Sequence, residues 1–113
     1  MVKYTVKQGD NGRVIRAQLQ DDAGFVDLTD AGPYGEAVSV EFKLRMRGSS
    51  FIDYGAADIE DAENGIVAYV LQDGQTDVPG YFLGEFQVTF NDGAKITFPS
   101  GSYVDLYIVE ALF

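Results

Sequence analysis

Apolar and polar residues alternate without a break from Val38 to Arg47. Val38, Val40, Phe42, Leu44 and Met46 therefore fall on one side of an extended chain, and Ser39, Glu41, Lys43, Arg45 and Arg47 on the other. This is the pattern of a half-buried strand. Ile15, Ala17 and Leu19 alternate with Arg16, Gln18 and Gln20 in the same way. In a third segment Phe82, Gly84, Phe86, Val88 and Phe90 share a face, with Leu83, Glu85, Gln87 and Thr89 opposite. Asn91-Asp92-Gly93 then suits a tight hairpin, because glycine takes the positive φ that closes a short loop, and Ala94 to Phe98 returns with Ile96 and Phe98 inward. Residues 65–71 and 103–109 are nearly continuous apolar runs and predict more fully covered strands. Asp77-Val78-Pro79-Gly80-Tyr81 opens the most aromatic strand; Tyr81 there either pins a corner by a hydrogen bond back to the chain or simply packs.

Turn signals punctuate these segments at short intervals, among them Gly9-Asp10-Asn11-Gly12, Asp21-Asp22-Ala23-Gly24, Gly32-Pro33-Tyr34-Gly35 and Gln72-Asp73-Gly74. A helix fits poorly. Only Ala56 to Glu63 has suitable composition, and with Ile59 as its sole large apolar anchor it predicts a loop with at most one helical turn. About seven to nine strands with no covering helix must bury their inner faces against each other. The expected fold is all-β, a two-sheet antiparallel immunoglobulin-like sandwich, with a small barrel as the alternative architecture. At 113 residues and 46% hydrophobic content, residues 1–113 are expected to form one domain.

Charge and chemistry narrow the function classes. The chain carries a net charge of −10: residues 1–52 hold seven acids and seven bases, and residues 53–113 hold eleven acids against Lys95 alone. Phosphate backbones and anionic lipid surfaces are bound by clustered Lys and Arg, so neither nucleic acid nor a membrane is an expected partner. The amino terminus lacks the apolar run of a signal peptide, and no stretch approaches the roughly 20 apolar residues of a membrane span, so the chain is expected to be soluble and uncleaved. Histidine and cysteine are both absent, which removes the usual general base, the thiolate nucleophile and the commonest zinc ligands.

Glu85, Asp105 and Glu110 lie on predicted strands, yet nothing in their spacing singles out a catalytic pair. The densest oxygen cluster, Asp58 to Gly65, departs from the calcium-loop spacing, because Ala62 stands where an oxygen ligand is required. No catalytic, metal or cofactor residue is assigned. The candidate partner contacts are Gly32, Pro33, Tyr34, Tyr54, Tyr103 and Tyr107, a loop and a set of aromatics placed in loops or on the less certain strand faces.

The order of motifs along the chain resembles a known family. Lys7-Gln8-Gly9-Asp10 precedes the strand Val14 to Gln20; Asp-Ala-Gly leads to Val26-Asp27-Leu28-Thr29; the strand Val38 to Arg47 follows. Gly65-Ile66-Val67-Ala68-Tyr69, Pro79 to Phe86 and Asp92 to Pro99 complete the series. Together they resemble the immunoglobulin-like domain at the amino terminus of phage baseplate upper proteins. The resemblance implies a non-enzymatic structural protein of a phage or prophage virion, a tail or baseplate component made in the host bacterial cytoplasm. Its partners would be other virion proteins, with a homo-oligomer as a further option and no cofactor. Asp30 to Glu36 is longer than the family pattern suggests, and no helix or receptor-binding adaptor follows, so a stand-alone small virion protein is expected. The alternative function is a carbohydrate-binding or calcium-dependent adhesion module built on exposed Tyr and loop acids.

Overall fold

The computed structural model describes residues 3–48, 52–98 and 104–112. Within them lie ten strands: β1 (Lys3–Lys7), β2 (Val14–Gln18), β3 (Gln20–Asp21), β4 (Gly24–Phe25), β5 (Ala37–Met46), β6 (Ile52–Asp61), β7 (Ile66–Val70), β8 (Gly80–Phe90), β9 (Lys95–Phe98) and β10 (Val104–Val109). Strong two-residue periodicity becomes strand as expected in β2, β5 and β8, except that Val38, expected inward, is exposed where the β5–β8 register shifts between Ala37 and Ser39; the β8–β9 hairpin turns at Gly93 with φ of 89°. In β10 the burial alternates: Val104, Leu106 and Ile108 point in while Tyr107 is exposed, so this apolar run is covered on one face only.

The segment 56–63, expected to be a loop, belongs largely to β6. Two inward positions of this strand, Gly55 and Ala57, are small because the space above them is already filled. A Cβ on Gly55 would come within 2.8 Å of Cε1 of Tyr69, whose ring lies over the strand. Ala57 follows Gly55 on the same face, so the apolar signal of a strand is weak where its neighbour supplies the bulk.

The strands form one mixed sheet in the order β1-β10-β8-β5-β6-β7-β2, with β9 beside β10 on the same edge of β8, plus a small β3–β4 ribbon. The two-sheet antiparallel sandwich is therefore replaced by a nearly closed, barrel-like sheet. Two features produce the change. First, β6 is shared: Ile52 to Ala57 pair with β5, and Asp58 to Asp61 pair with β7 across a register irregularity, so what would be a second layer stays hydrogen-bonded to the first. Second, β1 pairs with β10 in parallel, Lys3 opposite Asp105 and Lys7 opposite Val109, which makes the sheet mixed. The two ends of the strand order meet where the Tyr4 side chain of β1 reaches the backbone of Arg16 in β2.

The interior is filled from all around this curl. Phe42, Phe86, Phe90, Phe98, Ile15, Leu19, Leu28, Leu71, Leu106 and Ile108 are fully buried. The Phe42 ring stacks on Tyr69 and tilts against Phe86, both at 4.8 Å between centroids. Burying each large apolar side chain contributes about 1.5–3 kcal/mol, so this aromatic centre accounts for a large share of a marginal total stability.

Candidate interaction surface

The structure separates the candidate contact residues into two regions at opposite ends of β5 and β8. Gly32, Pro33 and Tyr34 lie in the loop between β4 and β5, at the end marked by Ala37 opposite Phe90. Pro33 is exposed, but Gly32 and Tyr34 hold the loop in place. Gly32 is packed so closely on the Asp27 carbonyl that a side chain would collide with it. The Tyr34 ring rests on Phe90 and Phe98, at 5.5 and 5.9 Å, and its hydroxyl donates to Oδ2 of Asp21 at 2.5 Å. That hydrogen bond holds the Asp21 carboxyl below its ordinary range, helped by the Ala23 amide, and raises the Tyr34 phenol.

Tyr54 and Tyr107 lie on the outer face of the sheet. Tyr54, 64% exposed, stands opposite Lys43. Tyr107 stands opposite Tyr81, and the two rings stack at 4.4 Å with 10° between their planes. Tyr81 is 60% exposed on this face, so the corner reading of that residue is corrected: its ring turns outward onto Tyr107 instead of back toward the chain. The phase of β8 carried the signal, since Tyr81 is one step out of register with Phe82, Phe86 and Phe90. Tyr103 lies outside the described residues.

Around the tyrosine pair runs an open groove of about 560 Å³ lined by Lys3, Arg47, Tyr81, Leu83, Asp105 and Tyr107. Sequence reasoning overlooked Lys3 and Arg47 here. Arg47 is carried outward by the period of β5, and its amide continues the ladder by donating to the Tyr81 carbonyl at 2.8 Å. Lys3 enters only through the parallel pairing of β1 with β10, a contact between distant parts of the chain.

The carboxylates weighed for chemistry are engaged elsewhere or dispersed. Glu60 pairs with the Arg16 guanidinium at 2.7 Å, and Asp61 accepts from the Asn64 side chain at 2.9 Å to brace the turn after β6. Among the described residues no three Asp or Glu side chains are placed to hold a metal ion together. Glu85 is opposite Lys43, and Asp105 is opposite Lys3 on one side and Leu83 on the other. The arrangement offers an aromatic, partly cationic contact face and a fixed acidic loop. No curated protein matches the sequence. A family model described as the BppU N-terminal domain matches residues 2–102, nearly the whole chain, and the motif order noted in the sequence falls inside that match. The chain thus belongs to the family of amino-terminal domains of phage baseplate upper proteins.

Proposed function

We propose that this chain is a non-enzymatic assembly module of a phage or prophage virion, holding tail or baseplate proteins together through protein–protein contacts. The family supports a structural role in the phage particle and association with other virion proteins. The observation that carries the contact reading is the Tyr81–Tyr107 pair, exposed and stacked on the outer face of the sheet near the start of β8. Exposed aromatics of this kind, apolar in body and polar at the tip, supply large contact area with little side-chain entropy to lose. Each ring covers one face of the other, so the pair presents a single joined aromatic patch to a partner protein. The net charge of −10 works against a phosphate-rich partner such as nucleic acid or an anionic membrane. Synthesis takes place in the host cytoplasm, and residues 1–113 act as one domain.

Peptide mass spectrometry on density-purified particles tests this reading. The chain is expected in fixed proportion to tail or baseplate proteins. Its recovery only in the unassembled fraction of the lysate contradicts the proposal.

A further inference from the structure

The charge of this protein is partitioned by surface. The outward positions of β1, β5, β8, β9 and β10, extended by Arg47, carry Lys3, Lys7, Lys43, Arg45, Arg47 and Lys95 against three acids, Glu41, Glu85 and Asp105. The remaining fifteen acids of the chain share the rest of the molecule with two bases, Arg13 and Arg16. On the outward side of these five strands a protein of net charge −10 thus carries two bases for every acid, with the exposed tyrosine pair among them, and the basic surface is bounded by the neighbouring β6, whose outward positions add Asp58 and Glu60.

The complementary surface is at the far end of the same strands. Residues 20–37, 61–65 and 91–94 contain eight acids and no Lys or Arg. Backbone hydrogen bonds draw them together: Leu28 N–H to Ala62 O at 2.8 Å, Leu19 N–H to Gly65 O at 2.8 Å, and Asn91 N–H to Glu36 O at 2.9 Å. Asp22, Asp30, Glu36, Glu63 and Asp92 are exposed there, and Phe25, 64% exposed, supplies an apolar tip.

We infer that the basic, tyrosine-bearing sheet face binds the acidic, Phe25-tipped end of a second copy of this chain. The two surfaces differ in chemistry: Arg45, Arg47 and the tyrosine pair lie toward the Met46–Phe82 end of β5 and β8, and the acidic segments, with Lys95 beside them, lie at the Ala37–Phe90 end. The contact is therefore head-to-tail, leaving one surface of each kind open to continue a ring or stack. A two-fold dimer that laid face on face or end on end would set like charges against each other. The inference deepens the assembly reading by naming the partner and the face.

Sedimentation velocity on the full chain tests it. Wild type is expected to show concentration-dependent association at about 0.05 M salt, weakened at least tenfold at about 0.5 M, where the Debye length has shrunk to a few ångströms. A face variant, Arg45→Glu with Arg47→Glu, and an end variant, Asp22→Lys, Asp30→Lys and Glu63→Lys, are each expected to be monomeric alone. All five positions are exposed, and circular dichroism checks that both variants fold. Mixed together, the two variants are expected to associate, because the intact end of one meets the intact face of the other. Monomeric wild type at every salt concentration, association that survives in either variant, or no association of the mixture overturns the inference. A chain that is present in virions but monomeric in solution removes the self-contact and leaves the assembly reading standing.

Discussion

The Tyr4 hydroxyl donates to the carbonyl oxygen of Arg16 at 2.7 Å and accepts the amide of the same residue at 2.9 Å. One side chain thereby occupies the place of a strand neighbour: it satisfies both outward backbone groups of Arg16 on the open edge of β2. The sheet is closed at this seam by a phenol instead of a ladder.

Tyr4→Phe keeps the ring and removes both bonds. Net hydrogen bonds are worth about 0.5–1.5 kcal/mol each, so the loss is expected to be about 1–2 kcal/mol, a drop of several degrees in melting temperature. Amide exchange at Arg16 is expected to accelerate. An unchanged melting temperature together with unchanged exchange would show that the seam holds by other means.

Phe86→Ala removes a fully buried ring packed 4.8 Å from Phe42. The cost is expected to be about 3–5 kcal/mol, enough to leave the chain largely unfolded or insoluble. Urea denaturation and soluble yield measure it.

Gly84→Ala tests the opposite error. A Cβ on Gly84 would lie 2.6 Å from Cζ and 2.8 Å from Cε1 of Phe42, both part of a ring wedged between Tyr69 and Phe86. With no room for that ring to retreat, overpacking is expected to cost about 1–3 kcal/mol. A stabilised variant in thermal denaturation would contradict the packing.

These contacts show what was legible in the sequence and what was not. The large inward residues of β5 and β8 announced themselves, because Phe42, Phe86 and Phe90 alternate with polar neighbours. Gly55 and Ala57 of β6 did not, since a strand lying under the Tyr69 ring has no bulk of its own to display. The closure of the sheet was equally silent: it depends on β6 passing from β5 to β7 and on Tyr4 meeting Arg16, neither of which leaves a periodic trace. Among the contact residues, Tyr54 and Tyr107 lie on the outer face, a side their residue type left open between a contact role and core-edge packing, while Tyr34 is drawn inward by Phe90 and Phe98. Lys3 joins the groove only through a pairing of the chain's first strand with its last.

The Tyr34–Asp21 hydrogen bond should make stability depend on pH at both extremes. Asp21 has a depressed pKa when folded, so its contribution is present above the ordinary carboxylate range and disappears as pH falls through the lowered folded value. Tyr34 has a raised pKa, so its contribution is complete below the ordinary phenol value and disappears as pH rises through the folded one. Tyr34→Phe is therefore expected to be less stable than wild type near neutrality, with the gap narrowing in acid. Urea midpoints measured from neutral to strongly acidic pH give the comparison, and a gap of constant size would sever the link to Asp21.

The parallel pairing of β1 with β10 also governs how the protein bears load. Pulling residues 3 and 109 apart drags the two strands past each other along their length, because Lys3 is opposite Asp105 and Lys7 opposite Val109. Force then falls on the whole row of cross-strand bonds at once and cannot peel them singly from one end. Tension transmitted through the backbone would meet a clasp loaded in shear, and rupture would require every rung to give way together.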